Sequence, residues 1–158
     1  MNRPHSKALI IGGGIAGPVV ALLLHRAGIE AEIYEARGAD EDYASSWLIL
    51  ASNGLGVLKT LGLAEPVTAE GSPIPRMLLS SGKGKRFGEI PNGARPEVGA
   101  PSLVVKRGTL NRLLREEARR QGIKVAFGKK LPLGSLVAYQ AGIINTSSRN
   151  CKNFKSVI

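Results

Sequence analysis

Lys7-Ala-Leu-Ile-Ile-Gly-Gly-Gly-Ile-Ala-Gly-Pro-Val-Val-Ala-Leu-Leu-Leu-His-Arg-Ala-Gly28, followed closely by Ala31-Glu-Ile-Tyr-Glu35, is the stretch whose reading decides the fold. Its opening is a short continuous apolar run bounded by glycine, the pattern of a parallel strand buried on both faces. Ile15 to Ala27 then reads as a helix. Pro18 falls in its first turn, where the missing N–H costs little, and Gly28 suits the position just past its end. Ala31 to Glu35 reads as a second strand. Strand, helix and strand in this order form a right-handed crossover if the two strands are parallel.

The glycines at the turn fit G-x-G-x-x-G, with Gly12, Gly14 and Gly17 in the key positions and Ile15 and Ala16 between them. The match gains weight from its context: it follows a strand, opens a helix, and precedes an acid, Glu35, at the end of a second strand. Gly12 allows a tight turn. Gly14 lets the backbone approach a pyrophosphate, and Gly17 lets the helix lie close to the strand. The N–H groups and positive dipole end of the helix then face the phosphates. Glu35 would accept hydrogen bonds from the ribose hydroxyls. Arg37 nearby suggests a 2′-phosphate, but Glu35 would repel that group, so an unphosphorylated adenosine is favoured. The expected fold class is α/β, a Rossmann-like dinucleotide-binding domain with a parallel sheet.

Beyond residue 35 the signals are sparser. Arg37 to Ser46 is polar and looplike. Leu55, Leu58 and Leu61 give helical spacing over Asn53 to Leu63. Met77 to Ser81 and Lys85 to Ile90, joined by Ser81-Gly-Lys-Gly84, predict a small β-hairpin leaving the parallel core, and Pro91 to Pro101 is a loop. Ser102 to Val105 reads as a short strand. Arg107 to Gln121 predicts a helix, with Leu110, Leu113, Leu114 and Ala118 on one stripe and Gly122 at its end. Ile123 to Phe127 is expected to add a third parallel strand. Residues 1–130 are thus assigned to one partial domain, and residues 131–158 to an atypical basic tail expected to be poorly ordered.

Composition narrows the function classes. The 158-residue chain has a formal net charge of +10, but all twelve acidic residues lie between Glu30 and Glu117, and the last thirty residues supply five Lys or Arg and no acid. Basic residues are otherwise scattered and aromatics are few, which argues against nucleic acid as a partner. Cys151 stands alone, so there is no disulfide framework, and His5 and His25 lack partners at metal-ligand spacing, so no metal site is expected. The apolar run from Ala8 to Leu24 imitates a signal peptide or membrane span, but Gly12, Gly13, Gly14, Gly17 and Pro18 interrupt it. A cytoplasmic location is expected.

The same residues resemble a known family. Ala8-Leu-Ile-Ile-Gly-Gly-Gly-Ile-Ala-Gly-Pro18, with Ile33-Tyr-Glu-Ala-Arg37, is similar to the opening of the class A flavoprotein monooxygenases, the p-hydroxybenzoate hydroxylase-like enzymes. Ser52-Asn-Gly-Leu55 through Leu61-Gly-Leu63 resembles their Asn-containing helix segment. Val105-Lys-Arg-Gly-Thr-Leu110, with Leu114, resembles their Arg-x-x-Leu-x-x-x-Leu helix. The resemblance covers roughly residues 8–130. It implies FAD as cofactor, NAD(P)H as co-substrate and oxygenation of a small organic substrate. It also implies that Gly12, Gly14, Ile15, Ala16 and Gly17 meet the pyrophosphate, Glu35 the ribose, and Arg107 the cofactor from its helix start.

The chain departs from the family pattern in two places. Ser45-Ser-Trp-Leu-Ile-Leu50 stands where the family has a glycine-rich, flavin-approaching stretch, and Trp47 there reads as a core or contact residue. The family's later Asp-Gly and Gly-Asp motifs have no counterpart, which makes the chain a truncated member on this reading. Alternatives are a non-catalytic dinucleotide-binding module and an NAD-dependent oxidoreductase fragment. No catalytic base, substrate identity or oligomeric state is read from these residues.

Overall fold

The structure is a computed structural model that describes residues 7–39, 46–93 and 101–130. Its backbone groups into two compact units. Of the described residues, 7–39 and 114–130 form the first and 46–93 and 101–113 the second, so the boundary falls within a helix.

The first unit carries β1 (Lys7–Ile11), α1 (Ala16–Arg26), β2 (Glu30–Tyr34), the C-terminal half of a helix spanning Arg107–Arg120, and a last strand, Lys124–Ala126. Numbered in chain order, these last two are α4 and β8. The sheet order is β1-β2-β8 and every pairing is parallel. Lys7 lies opposite Glu30 and Ile11 opposite Tyr34, while Ile33 lies opposite Val125. The helix packs against β2 and β1 because its apolar residues recur at helical spacing: Pro18, Ala21 and Leu22 are buried, as are Ala8, Ala31 and Ile33 in the strands. Leu114, Ala118 and Ile123 complete this core. Burying each large aliphatic side chain contributes roughly 1.5–3 kcal/mol. Gly28 takes φ of +75° after α1, the left-handed geometry that ends a helix cheaply.

The other face of this sheet carries charge. Glu32, on the central strand, is buried and pairs with Lys7 Nζ at 3.0 Å and Lys124 Nζ at 2.6 Å, while Lys7 also reaches Glu30 at 2.7 Å. Burial pushes the Glu32 carboxyl up. Hydrogen bonds from Lys124, Lys7 and Tyr34 outweigh that and hold it below its ordinary value.

The second unit carries β3 (Trp47–Leu50), α2 (Ser52–Thr60), α3 (Ala64–Ala69), β4 (Ser72–Ile74), β5 (Arg76–Ser80), β6 (Arg86–Pro91), β7 (Ser102–Lys106) and the N-terminal half of α4. An antiparallel sheet of order β3-β7-β4 forms beside Leu55, Leu58, Leu61, Leu63, Val67, Leu103, Val105 and Leu110, all buried. The predicted hairpin is present as β5 and β6, with Phe87 as an extra residue between the Leu79–Gly88 and Ser80–Arg86 pairs.

Three elements escape the sequence reading. The strand β3 is four residues long and its apolar run has no alternation to mark it. Pro66 and Pro73 sit inside α3 and β4, where proline normally argues against either element. Both are tolerated for positional reasons: Pro66 is in the first turn of its helix, and β4 is an edge strand that, among the described residues, pairs with β7 alone. Trp47 is not a core residue, since it is 60% exposed, with Lys106 Nζ 5.5 Å from its ring centroid. It lies directly opposite Lys106 in the sheet, and nothing in the sequence pattern distinguishes that exposed strand position from a buried one. The stretch from residue 131 onward, assigned above to a basic tail, lies outside the described residues.

Candidate functional site

The site is built where β1 hands over to α1. Gly12 follows the last residue of β1, takes φ of +105°, and donates its N–H to the Tyr34 carbonyl at 2.8 Å. That backbone angle is one that side-chain-bearing residues rarely adopt, so the turn depends on glycine there. Ile15 precedes the helix, which begins at Ala16. The helix start has no side-chain cap and its first turn has no acidic residue. The N–H groups of the first turn therefore keep their exposed partial positive charge.

Gly14 and Gly17 answer to different constraints. A Cβ on Gly14 would have nothing within 4 Å, so the loop is open above it. A Cβ on Gly17 would collide with the Gly12 carbonyl oxygen and would come within 3.3 Å of Ile10 Cγ2. The third glycine is thus needed for helix-to-strand packing, while the second leaves a cradle that a side chain would fill.

Glu35 completes the arrangement. It is only 6% exposed, and its carboxylate faces the glycine loop: Oε2 accepts the Gly13 N–H at 2.6 Å and Oε1 accepts the Arg37 N–H at 2.9 Å. Its backbone is fixed on both sides, since its N–H donates to Ala126 O and its carbonyl accepts the Lys129 N–H, each at 2.8 Å. An open loop, an uncapped helix start and a carboxylate at the adjacent strand end form one continuous set within the first unit. These residues suit a pyrophosphate joined to a ribose. The hydrogen bond from Gly13 was not foreseen, because Gly13 occupies a variable position of the motif and carries no signal of its own.

Arg107 belongs to the second unit, where it is the first residue of α4 and donates its backbone N–H to Ser46 O at 2.9 Å. The first turn of α4 holds no acidic residue. Among the described residues no group of His, Cys, Asp and Glu could hold a metal ion, and no helix is long and apolar enough to cross a membrane.

A parallel sheet with a glycine-rich turn, an uncapped helix and a strand-terminal acid defines a dinucleotide-binding protein of the Rossmann type. The chain belongs to the FAD-binding domain family, whose profile matches residues 5–143. It is 33% identical over 109 residues to aurachin C monooxygenase/isomerase of Stigmatella aurantiaca, a match covering 68% of this chain and 28% of that protein. It is 35% identical over 118 residues to a 3-amino-4-hydroxybenzoate 2-monooxygenase of Streptomyces platensis, covering 73% and 29%.

Solved structures agree on the fold. The tetrameric form of 2-methyl-3-hydroxypyridine-5-carboxylic acid oxygenase superposes with a TM-score of 0.67 at 23% identity, covering 80% of this chain and 32% of that one. A variant of Klebsiella pneumoniae HpxO complexed with FAD gives 0.63 at 27% identity, covering 80% and 32%. The chain therefore spans about 30% of the length of the relatives it matches.

Proposed function

We propose that this chain is the FAD-binding portion of a flavin-dependent monooxygenase that uses NAD(P)H to oxygenate a small organic substrate in the cytoplasm. The observation that carries this reading is the open loop at Gly14 beside an uncapped helix start, with the Glu35 carboxylate at the adjacent strand end. The activity for which one relative is named, on 3-amino-4-hydroxybenzoate, supports an aromatic substrate.

In this reading Gly12, Gly14, Ile15, Ala16 and Gly17 offer backbone to the pyrophosphate, with Gly14 permitting the close approach. Glu35 accepts from the adenosine ribose hydroxyls. Arg107 contributes a cation toward the cofactor. The flavin, once bound, supplies the redox and oxygen chemistry; the chain's own part is to bind and orient it.

Titration of the purified protein with FAD tests the assignment. Glu35→Ala should weaken binding on the order of tenfold to a hundredfold, the loss that follows from a charged hydrogen bond of about 1.5–3 kcal/mol. Unchanged affinity would return Glu35 to a purely structural role. NADH or NADPH consumption by the 158-residue chain with FAD present is expected to be no faster than with free FAD. Substrate-dependent consumption coupled to a hydroxylated product would show instead that these residues suffice for turnover.

A further inference from the structure

We propose that Glu35 is a positioning residue for the phosphate loop as well as a ribose acceptor, so that one carboxylate serves both halves of the nucleotide site. This rests on the reading of the loop as a dinucleotide site. The observation behind it is that the buried carboxylate is already committed to the loop's backbone. The Gly13 N–H donates to Glu35 Oε2 at 2.6 Å across twenty-two residues of sequence. With the bond from the Gly12 N–H to Tyr34 O, it makes two successive ties between the loop and the end of β2.

The packing is as specific as the hydrogen bond. A Cβ on Gly13 would lie 3.0 Å from Glu35 Cβ and 3.3 Å from Oε2. The carboxylate comes this close because residue 13 has no side chain; a methyl group there would have to displace the Glu35 side chain by a few tenths of an ångström. The Arg37 N–H holds the other oxygen and fixes the carboxylate's orientation.

A carboxylate offers roughly four acceptor positions. Two are taken by the backbone, and two are left for the ribose hydroxyls. Removing the carboxylate would therefore do two things: it would delete the ribose acceptor, and it would release a buried Gly13 N–H that no longer has a partner. An unsatisfied buried donor drives the loop to relax toward water. The loop would then lose its preorganised shape for the phosphates, and binding would weaken even for a ligand with no ribose hydroxyls.

Two measurements separate this from a ribose-only role. In the ligand-free protein, the Gly13 amide should exchange slowly, and Glu35→Ala should accelerate it by about tenfold or more while Leu9 to Ile11 stay protected. In parallel, Glu35→Ala should weaken both ADP and 2′,3′-dideoxy-ADP, the latter by about tenfold. Unchanged Gly13 exchange, or dideoxy-ADP affinity that survives the substitution while ADP affinity falls, would overturn the proposal. If wild type binds neither nucleotide but Gly13 protection still depends on Glu35, the positioning role stands and the dinucleotide reading falls.

Should Glu35→Ala fail to fold, Glu35→Gln keeps the volume but can accept only one of the two N–H groups, so faster Gly13 exchange is still expected. Gly13→Ala, whose methyl group would crowd the Glu35 side chain, should weaken dideoxy-ADP in the same sense. If it binds that nucleotide as wild type does, the proposal is wrong.

Discussion

The carbonyl oxygen of Gly12 occupies the space in which a Cβ on Gly17 would sit. The two glycines therefore act as a pair: one turns the chain out of β1, and the other lets α1 return against it. Gly17→Ala should destabilise the protein by about 1–3 kcal/mol, since the backbone at Gly12 must move to admit a methyl group. Urea denaturation measures this, and a midpoint equal to that of wild type would show that the loop adapts freely.

Gly14 should behave in the opposite way. Nothing lies within 4 Å of its missing Cβ, so Gly14→Val should unfold at nearly the wild-type denaturant midpoint. Binding is where the substitution should tell, because a branched side chain would fill the cradle proposed for the pyrophosphate. A Gly14→Val protein that binds FAD as wild type does would place the ligand elsewhere.

The Glu32 cluster predicts a pH dependence with a definite sign. Its carboxyl is held below the ordinary value in the folded protein, so the unfolded chain takes up a proton first as pH falls. The stability it contributes is present above the ordinary carboxylate pKa and is lost as pH drops through the lower folded value. Glu32→Gln should remove this part of the acid-side slope. It should cost about 1 kcal/mol at neutral pH, a modest figure because Lys124 is largely solvent-exposed. Identical pH profiles for wild type and variant would show that the cluster is energetically silent.

Asn111 predicts a gain. It is 0% exposed on α4, and among the described residues neither its Nδ2 nor its Oδ1 has a hydrogen-bond partner. A buried amide without partners carries a desolvation penalty that an apolar side chain of similar size avoids. Asn111→Leu should leave stability unchanged or raise it by about 1–2 kcal/mol, read from thermal unfolding. A clear loss would mean that the amide is satisfied by a group outside the described residues.

The parts legible in sequence are those where a local pattern and a packing demand coincide. The strand before Gly12, the helix ending at Gly28 and the strand ending at Glu35 each carry an apolar period closed by a glycine or an acid, and all three form as read. The same holds for α4, whose stripe from Leu110 to Ala118 faces inward, and for the hairpin around Gly84. Where local propensity and tertiary pairing disagree, the pairing prevails. Pro73 sits in a strand because the edge of the second sheet needs no N–H on that side, and Trp47 stays exposed although its chemistry suits a core. At the loop, the turn at Gly12, the open space at Gly14, the close packing at Gly17 and the acid following β2 at Glu35 were readable because each answers a recognisable backbone or charge requirement. The tie from Gly13 to Glu35 was not, since it depends on how closely two segments twenty-two residues apart approach each other.

The loop from Gly12 to Gly17 is proposed to bind the phosphate end of FAD. Isothermal titration of FAD into wild type and Gly14→Val, run side by side on folded protein, tests it most directly. Saturable binding of one FAD per wild-type chain is expected, and none detectable for Gly14→Val. Equal binding by the two proteins, or no binding by wild type, would contradict it.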